Sequence, residues 1–193
     1  MLFRIEKLTY EYSDGTLALD DISLGFGKAE RIALLGTNGS GKTTLLNHFN
    51  GILKPTSGKI YFEEKPLKYD AKSLLELRQR VGFVFQDPND QLFAPTVKQD
   101  VAFGPLNLGK KPEQVKELVD EALETVGMIE FKEKPPHFLS LGQKKRVALA
   151  GVLAMKPEVI IMDEPTSNLD PRATSEILHL LLRLNKESGI TLL

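Results

Sequence analysis

The sequence lacks cysteine, an excess of either charge and any long apolar run, and each absence excludes a class of protein. Without cysteine, the 193-residue chain has no disulfide, thiolate metal site or cysteine nucleophile. Its 25 Lys and Arg against 26 Asp and Glu give a net charge of -1, which provides no electrostatic case for nucleic acid as a partner. No apolar run approaches the ~18 residues of a membrane span, and residues 1–12 lack the apolar segment of a signal peptide. The composition therefore predicts a soluble, cytoplasmic α/β protein.

Strand patterns occupy the first and last parts of the chain, and its middle has a helical character. Period-two alternation and short apolar runs predict strands at residues 2–12, 17–26, 31–35, 59–62, 82–85 and 159–162, and another from residue 190. Helical spacing and cap residues predict helices at 42–50, 73–80, 112–126, 140–155 and 171–188. Residues 87–109 are rich in Pro, Gly and Asn and have no strong period. We therefore predict one domain over residues 1–193, with an α/β core at 1–86 and 157–193 and an inserted helical subdomain at 87–156.

A glycine-rich segment between a predicted strand and a predicted helix fits the pattern G-x-x-x-x-G-K-[ST] without a mismatch. Glycines let the backbone wrap around a phosphate with its N–H groups pointing inward, and the start of the helix adds partial positive charge. Lys42 then reaches the β- and γ-phosphates of a nucleotide, and the Thr43 hydroxyl is a ligand for Mg²⁺. The residues of this predicted phosphate loop are Gly36, Thr37, Asn38, Gly39, Ser40, Gly41, Lys42, Thr43 and Thr44.

Two acidic residues, Asp163 and Glu164, directly follow the predicted strand at 159–162. Open α/β sheets bind ligands at the C-terminal ends of their strands, so both carboxylates are expected near the phosphate loop. Asp163 is predicted to hold Mg²⁺. Glu164 is predicted to be the general base for an attacking water, a role worth ~10²–10⁴ in rate. Without the phosphate loop, an ordinary turn at the end of a strand would explain these residues equally well.

Further motifs, in the expected order along the chain, resemble those of ABC-type ATPases, the nucleotide-binding domains of transporters. Gln86 matches the Q-loop glutamine, and the sequence LSLGQ at 139–143 resembles the LSGGQ signature. The D-loop is matched by residues 167–170, and Tyr12 matches the aromatic residue that stacks on adenine. The resemblance implies a P-loop NTPase core with a mainly parallel sheet, an N-terminal antiparallel β subdomain and an inserted helical subdomain.

The same resemblance implies how ATP and Mg²⁺ are bound. Two copies meet head to tail, either as a homodimer or as a heterodimer with a paralogous ATPase, and ATP lies between the phosphate loop of one copy and the signature of the other. Gln86 would contact the metal and take part in catalysis. The residues that this resemblance adds to the nucleotide site are Tyr12, Ser140, Gly142, Gln143 and Asp170.

Residues 85–93 (FQDPNDQLF) and 101–105 (VAFGP) resemble a narrower group, the ATP-binding subunits of energy-coupling-factor transporters. Those subunits power the uptake of cobalt, nickel or vitamins. This resemblance implies integral membrane subunits as partners and a location on the cytoplasmic face of the cell membrane. It also implies that the region 86–105 transmits motion to a coupling helix of a membrane subunit.

Two other functions remain open, a non-transport ABC ATPase of DNA repair or translation and a module that binds nucleotide without hydrolysing it. The short stretch between phosphate loop and signature has no room for the long coiled coil of repair members. Translation members usually carry two such domains, and this chain has one. The binding-only alternative is favoured by Leu141, which replaces the first glycine of the signature and predicts weaker hydrolysis.

Several of these residues also have a structural explanation. Ser140 with Gln143 fits a capping box, and Asp170 fits a helix N-cap. Tyr12 fits an ordinary strand aromatic, and Gln86 fits a polar strand end. Three cations at 144–146 follow in the first turns of a helix, where they oppose its dipole, so an anion is expected to dock there. The histidines, all expected to be structural or solvated, are His48, His137 and His179.

The last four residues, 190–193, fall inside a predicted core strand. The switch histidine of ABC ATPases follows that strand and has no counterpart before residue 193. We therefore expect a C-terminally truncated domain that binds nucleotide and hydrolyses it slowly.

Overall fold

The strands form two separate sheets in the computed structural model, which describes all 193 residues. The first sheet is antiparallel, has the order β2-β1-β3-β4 and consists of β1 (Phe3–Glu11), β2 (Leu17–Phe26), β3 (Ser57–Phe62) and β4 (Lys65–Pro66). The second sheet is parallel, has the order β5-β6-β7 and consists of β5 (Val81–Val84), β6 (Val159–Met162) and β7 (Thr191–Leu192). The predicted α/β architecture with both kinds of sheet is confirmed.

Helices connect and cover these strands. They are α1 (Lys42–Phe49), α2 (Ala71–Arg80), α3 (Val97–Asn107), α4 (Pro112–Thr125), α5 (Leu141–Leu153) and α6 (Pro171–Ser188). Short 3-10 helices lie at Pro88–Asp90, Ile129–Phe131 and Pro136–Phe138. No helix combines the length and the apolar character that crossing a bilayer would require.

An aromatic cluster joins the antiparallel sheet to α1. Phe3 is fully buried in the central strand and lies opposite Phe26 on one side and Phe62 on the other. Its ring centroid is 5.0 Å from that of Phe49 at the end of α1, in an edge-on arrangement. Such aromatic pairs stabilise a core beyond the area that they bury. The end of α1 is therefore held against the first sheet.

The parallel strands lie between two hydrophobic cores. Val159 and Ile161 of β6 pack into the core that contains the first sheet and α1. Ile160, between them, packs into a second core shared by the helices α3 to α6. Side chains of a strand alternate between its two faces, so a short apolar run is what a strand covered on both sides requires. The sheet therefore joins the helical region to the region around α1.

Two sequence predictions differ from the structure. Residues 31–35 do not form a strand, because only Arg31 and Ile32 pair with Leu192 and no further strand lies beside the rest of the run. Leu35 is consequently 89% exposed. Conversely, α3 was not predicted, since it contains Pro105 and carries apolar side chains on several faces, which leaves no single helical stripe.

Close packing between β5 and α5 makes a specific prediction about Gly82. A Cβ at this position would lie 2.1 Å from Cγ1 of Val152, a buried and stiff side chain. We expect Gly82→Ala to lower the free energy of unfolding by about 1–3 kcal/mol, measured by urea denaturation. The matched control is Gly151→Ala on the same helix as Val152, where a Cβ meets nothing within 4 Å. Helix propensity should make that control neutral or stabilising, and equal losses in both variants would contradict the packing argument.

Candidate active site

The loop before α1 has a shape that requires glycine. Gly39 and Gly41 adopt φ angles of +80° and +84°, in the left-handed region. A Cβ at Gly41 would lie 2.6 Å from the backbone oxygen of Ala18, and one at Gly36 would lie 2.6 Å from Oγ of Ser40. The first sheet therefore leaves no space for a side chain at Gly41, and the φ angles of Gly39 and Gly41 favour glycine at both positions.

Unused hydrogen-bond donors converge on this loop. The backbone N–H groups of Lys42, Thr43 and Thr44 have no acceptor within the chain, and α1 has no side-chain cap and no acidic residue in its first turn. The Lys42 ammonium donates to the carbonyl oxygens of Gly36 and Thr37, at 3.0 and 2.9 Å. Free helix N–H groups, the helix dipole and an ammonium together form a site for an anion with several oxygens.

A hydrogen bond links the start of α1 to the end of β6. The Thr43 hydroxyl donates to Oδ2 of Asp163 at 2.7 Å, and Asp163 is buried. No group of three or more His, Cys, Asp or Glu residues could hold a metal by itself. Mg²⁺ in nucleotide sites usually takes one or two protein oxygens and completes its shell with phosphate and water. The oxygens of Thr43 and Asp163 fit that partial ligand set.

The other predicted catalytic side chains, Gln86 and Glu164, meet at the same edge of the parallel sheet. Gln86 follows β5 and donates from Nε2 to Oε2 of Glu164 at 2.9 Å. Glu164 follows Asp163 and has a φ angle of +46°, an uncommon left-handed conformation for a residue with a side chain. This conformation turns the chain sharply after β6, while its carboxylate remains beside Gln86.

Tyr12 lies at the side of the phosphate loop. Its hydroxyl is 2.9 Å from Oγ1 of Thr44, and its ring packs edge-on against Tyr10 at 5.0 Å between centroids. The ring is partly exposed. His48 behind it is buried with Nδ1 2.7 Å from the Thr44 carbonyl oxygen, and burial lowers its pKa, so it is neutral and structural.

The signature residues form a second group. Ser140 caps α5 by accepting from the N–H of Gln143 at 3.3 Å, and Gln143 accepts from the N–H of Ser140 at 3.0 Å. Asp170 likewise caps α6 through the N–H of Ala173 at 2.9 Å. A Cβ on Gly142 would contact Ala173 at 3.4 Å, so these two helix starts are neighbours. No hydrogen bond joins this group to the phosphate loop.

Each of the cations at 144–146 has an acceptor within the chain, and the docking of an anion at this helix start stays a prediction. Lys144 donates to Oδ1 of Asn89 at 2.8 Å, and Arg146 pairs with Glu176. Lys145 points inward and donates to backbone carbonyl oxygens, and its burial lowers its pKa. Intramolecular acceptors therefore compensate these charges at the start of α5.

Sequence reasoning also missed Gln91, which positions the segment that carries Gln86. Its Oε1 accepts from the N–H of Phe85 at 3.1 Å, and its Nε2 donates to the carbonyl oxygen of Ala148 at 3.3 Å. Gln91 thus ties the end of β5 to α5. A polar residue in an irregular stretch carries no periodic signal, so this role becomes visible only once α5 is placed beside β5.

A glycine cradle with free N–H groups, a lysine and two carboxylates at a strand end define a P-loop nucleotide-binding protein. Comparison with known families agrees with this class, since residues 19–167 match the family described as ABC transporter. The chain is 59% identical over 188 residues to the energy-coupling factor transporter ATP-binding protein EcfA of Methanocaldococcus jannaschii, covering 97% of this chain and 67% of that protein. It is 50% identical over 192 residues to EcfA3 of Clostridium perfringens, covering 100% of this chain and 67% of that protein.

Solved structures lead to the same assignment. CbiO1 of Clostridium perfringens, part of the ABC transporter complex CbiONQ, superposes with a TM-score of 0.90 at 51% identity, over 99% of this chain and 76% of that one. The dimeric ATP-binding cassette MJ0796, bound to ADP and phosphate, gives a TM-score of 0.87 at 32% identity, over 98% of this chain and 85% of that one. The chain belongs to the ABC transporter family and is one of its ATPase cassettes.

The glycine cradle can be tested with a pair of variants. We expect Gly41→Ala to weaken ATP binding at least ~10-fold, because the added Cβ displaces the loop from the first sheet and re-aims its N–H groups. Equilibrium titration with a fluorescent ATP analogue measures this. Gly109→Ala is the control, since Gly109 also has a left-handed φ angle, of +70°, but its Cβ would meet nothing within 4 Å. Equal losses of affinity in both variants would contradict a specific role for the loop shape.

Proposed function

We propose that the chain is the ATP-binding subunit of an importer of the energy-coupling-factor type, and that it drives uptake of cobalt, nickel or a vitamin through membrane subunits. The observation that carries this proposal is the division of the site into two groups within one chain. The phosphate loop, Gln86, Asp163 and Glu164 form one group, and the signature residues form the other, with no hydrogen bond between the signature and the phosphate loop. A second copy of the chain can bring its signature residues to the phosphate loop of the first and so complete the site.

The triphosphate of ATP is bound by the loop in this proposal. The free N–H groups of Lys42 to Thr44 face its oxygens, and the Lys42 ammonium exchanges its two carbonyl partners for phosphate. Tyr12 offers its partly exposed ring to adenine. Thr43, Asp163 and Gln86 would hold Mg²⁺, which supplies charge neutralisation between the phosphate oxygens.

Glu164 is the proposed general base. Its carboxylate is held by Gln86 at 2.9 Å, and it lies directly after the residue that would hold the metal. A carboxylate fixed at this point can accept a proton from a water molecule aligned for attack on the terminal phosphate. Gln86 would therefore contact the metal ion and also hold the carboxylate of the general base.

The proposed dimer is head to tail, with the signature of one copy facing the phosphate loop of the other. Ser140, Gly142 and Gln143 lie at the start of α5, where helix N–H groups are available to a partner's phosphate. Leu141 begins the helix and leaves the capping box intact. The partner is a second copy or a paralogous ATPase, and both would complete the site in the same way.

Glu164→Gln separates binding from hydrolysis. We expect it to lower turnover by at least ~10²-fold, because the amide cannot accept the proton, and to give a stable dimer with ATP. Light scattering after size exclusion with and without ATP measures the dimer. The control is Lys42→Ala combined with Glu164→Gln, which should remain monomeric in ATP because the loop has lost its ammonium. A monomeric ATP-bound Glu164→Gln protein would contradict the head-to-tail arrangement, and unchanged turnover would contradict the role of Glu164.

A groove of about 590 Å³ between α2, β5, α3 and α5 is the proposed docking site for a helix of the membrane subunit. Its rim carries Phe93, which is 68% exposed, and Phe103, which is 50% exposed, with ring centroids 4.9 Å apart. Exposed aromatic side chains beside an apolar cavity are typical of helix-in-groove recognition. The groove also includes Phe85, the neighbour of Gln86, so a docked helix would lie one residue away from the catalytic group.

A buried carboxylate holds the exposed aromatic side chain in place. Asp100 of α3 accepts from the N–H of Phe93 at 3.0 Å and from that of Ala94 at 3.2 Å. Burial raises the pKa of Asp100, and these two hydrogen bonds act in the opposite direction. Fixing the turn before α3 in this way reduces the entropy that Phe93 would lose on contact with a partner.

The docking surface is tested by Phe103→Asp in a chain co-expressed with energy-coupling-factor membrane subunits. We expect the charge to weaken co-purification in detergent at least ~10-fold, because it would be buried against an apolar helix. ATP turnover of the isolated chain should stay within ~2-fold of wild type, since Phe103 lies outside the nucleotide site. Leu17→Asp, at an equally exposed leucine of the first sheet, is the control and should leave both unchanged. Full co-purification of Phe103→Asp would contradict the groove as docking site.

A further inference from the structure

Lys145 is a buried lysine whose ammonium is enclosed by acceptors. It lies in the second turn of α5, only 4% exposed, between apolar neighbours of the second core. Its Nζ donates to the carbonyl oxygen of Glu164 at 3.0 Å, to the carbonyl oxygen of Ser167 at 3.1 Å and to Oγ of Ser167 at 3.1 Å. An ammonium has three N–H donors, so this set of acceptors uses all of them.

Packing alone does not explain a lysine at this position. Removing an ammonium from water is costly unless its hydrogen bonds are replaced, and a residue such as Leu or Met would fill the same space without that cost. Ala148 and Leu149, three and four residues after Lys145 on the same face of α5, are buried in this core, so this face is otherwise apolar. The hydrogen bonds that Lys145 makes, rather than the volume that it fills, therefore explain a lysine at this position.

These hydrogen bonds hold the turn that carries Glu164, the proposed general base. Glu164 and Asn168 both adopt left-handed conformations, with φ angles of +46° and +59°. Asn tolerates this conformation, but it is costly for Glu and persists there only where surrounding contacts impose it. The carbonyl oxygen of Glu164 accepts from Lys145 and also from the N–H and the hydroxyl of Ser167, at 3.1 and 2.9 Å. Its side chain is thereby directed toward Gln86.

We propose that Lys145 is a positioning residue for Glu164, through which the signature helix sets the orientation of the catalytic carboxylate in its own subunit. The inference rests on the proposed role of Glu164 as general base. Ser140 and Lys145 belong to the same helix, so a displacement of α5 when its start engages the partner's nucleotide moves the ammonium as well. The backbone of Glu164 then moves with it, and each signature affects the hydrolytic group of its own chain.

The first test is Lys145→Met, which keeps the length of the side chain and removes its donors. We expect kcat to fall about 10–100-fold, because a small misplacement of a catalytic group has this effect. The KM for ATP and the affinity for a fluorescent ATP analogue should stay within ~2-fold, since Lys145 makes no contact with the phosphate loop. Lys145→Gln, which retains an N–H donor, should lose less. Lys156→Met, at an exposed ion-paired lysine just after α5, is the control and should leave kcat unchanged.

Chemical rescue distinguishes positioning from general damage, and the absence of cysteine makes it selective. Lys145→Cys is alkylated in denaturant with 2-bromoethylamine, which rebuilds an ammonium at nearly the original position, and is then refolded. We expect most of the lost kcat to return. The same variant modified with methyl methanethiosulfonate gains bulk without a donor and should stay inactive. Wild-type protein carried through the same steps controls for refolding, and failure of the ammonium to restore activity while ATP affinity is normal would overturn the proposal.

A double variant tests whether Lys145 acts through Glu164. In a Glu164→Gln background, Lys145→Met should lower the remaining single-turnover rate by less than ~2-fold, because the group that it positions is already gone. The same fold-loss in both backgrounds, or a raised KM with unchanged kcat, would overturn the inference. If Glu164→Gln alone leaves turnover intact, the proposed role of Glu164 as general base fails. If Glu164→Gln abolishes turnover and Lys145→Met does not change it, only the role of Lys145 fails.

Discussion

One backbone hydrogen bond, from the N–H of Asp163 to the carbonyl oxygen of Val84 at 3.1 Å, organises the active site. It joins the last residue of β5 to the residue that follows β6 and so continues the ladder one residue past the end of β6. Parallel strands end at the same edge of a sheet, so the segments that follow them must begin side by side. Gln86 and Glu164 are therefore neighbours although 78 positions separate them. The carboxylate of Asp163 is placed by the same pairing, which lets it reach Thr43 on α1.

The helix α5 has a different role, because it contacts both loops that leave this sheet edge. Ala148 accepts from Gln91 in the segment after β5, and Lys145 donates to the turn after β6. The same helix begins with the signature residues and packs its inner face into the second core. A rigid element that carries the signature residues at its start and contacts both loops can couple them without any long chain of intermediates. In the proposed dimer, α5 would link the two separate groups of site residues.

The sequence predicted the parts of this structure that depend on local chemistry. The phosphate-loop pattern, the cap residues Ser140 and Asp170 and the apolar run of β6 each carry a signal within a few residues, and the structure has the corresponding elements. What it could not predict depends on partners far along the chain. Residues 31–35 have the composition of a strand but pair only at their first two positions. α3 is apolar on several faces because it faces both a core and a groove, so its period is hidden.

Three places where local rules fail are informative, because they lie around one site. α1 begins without a cap and with free N–H groups, α5 begins with cations that oppose its dipole, and Glu164 adopts a conformation that usually belongs to glycine. Each would destabilise an isolated segment. Natural sequences are locally consistent except where function requires otherwise. The cation at Lys145 and the strain at Glu164 offset each other directly through one hydrogen bond, so neither irregularity is explained without the other.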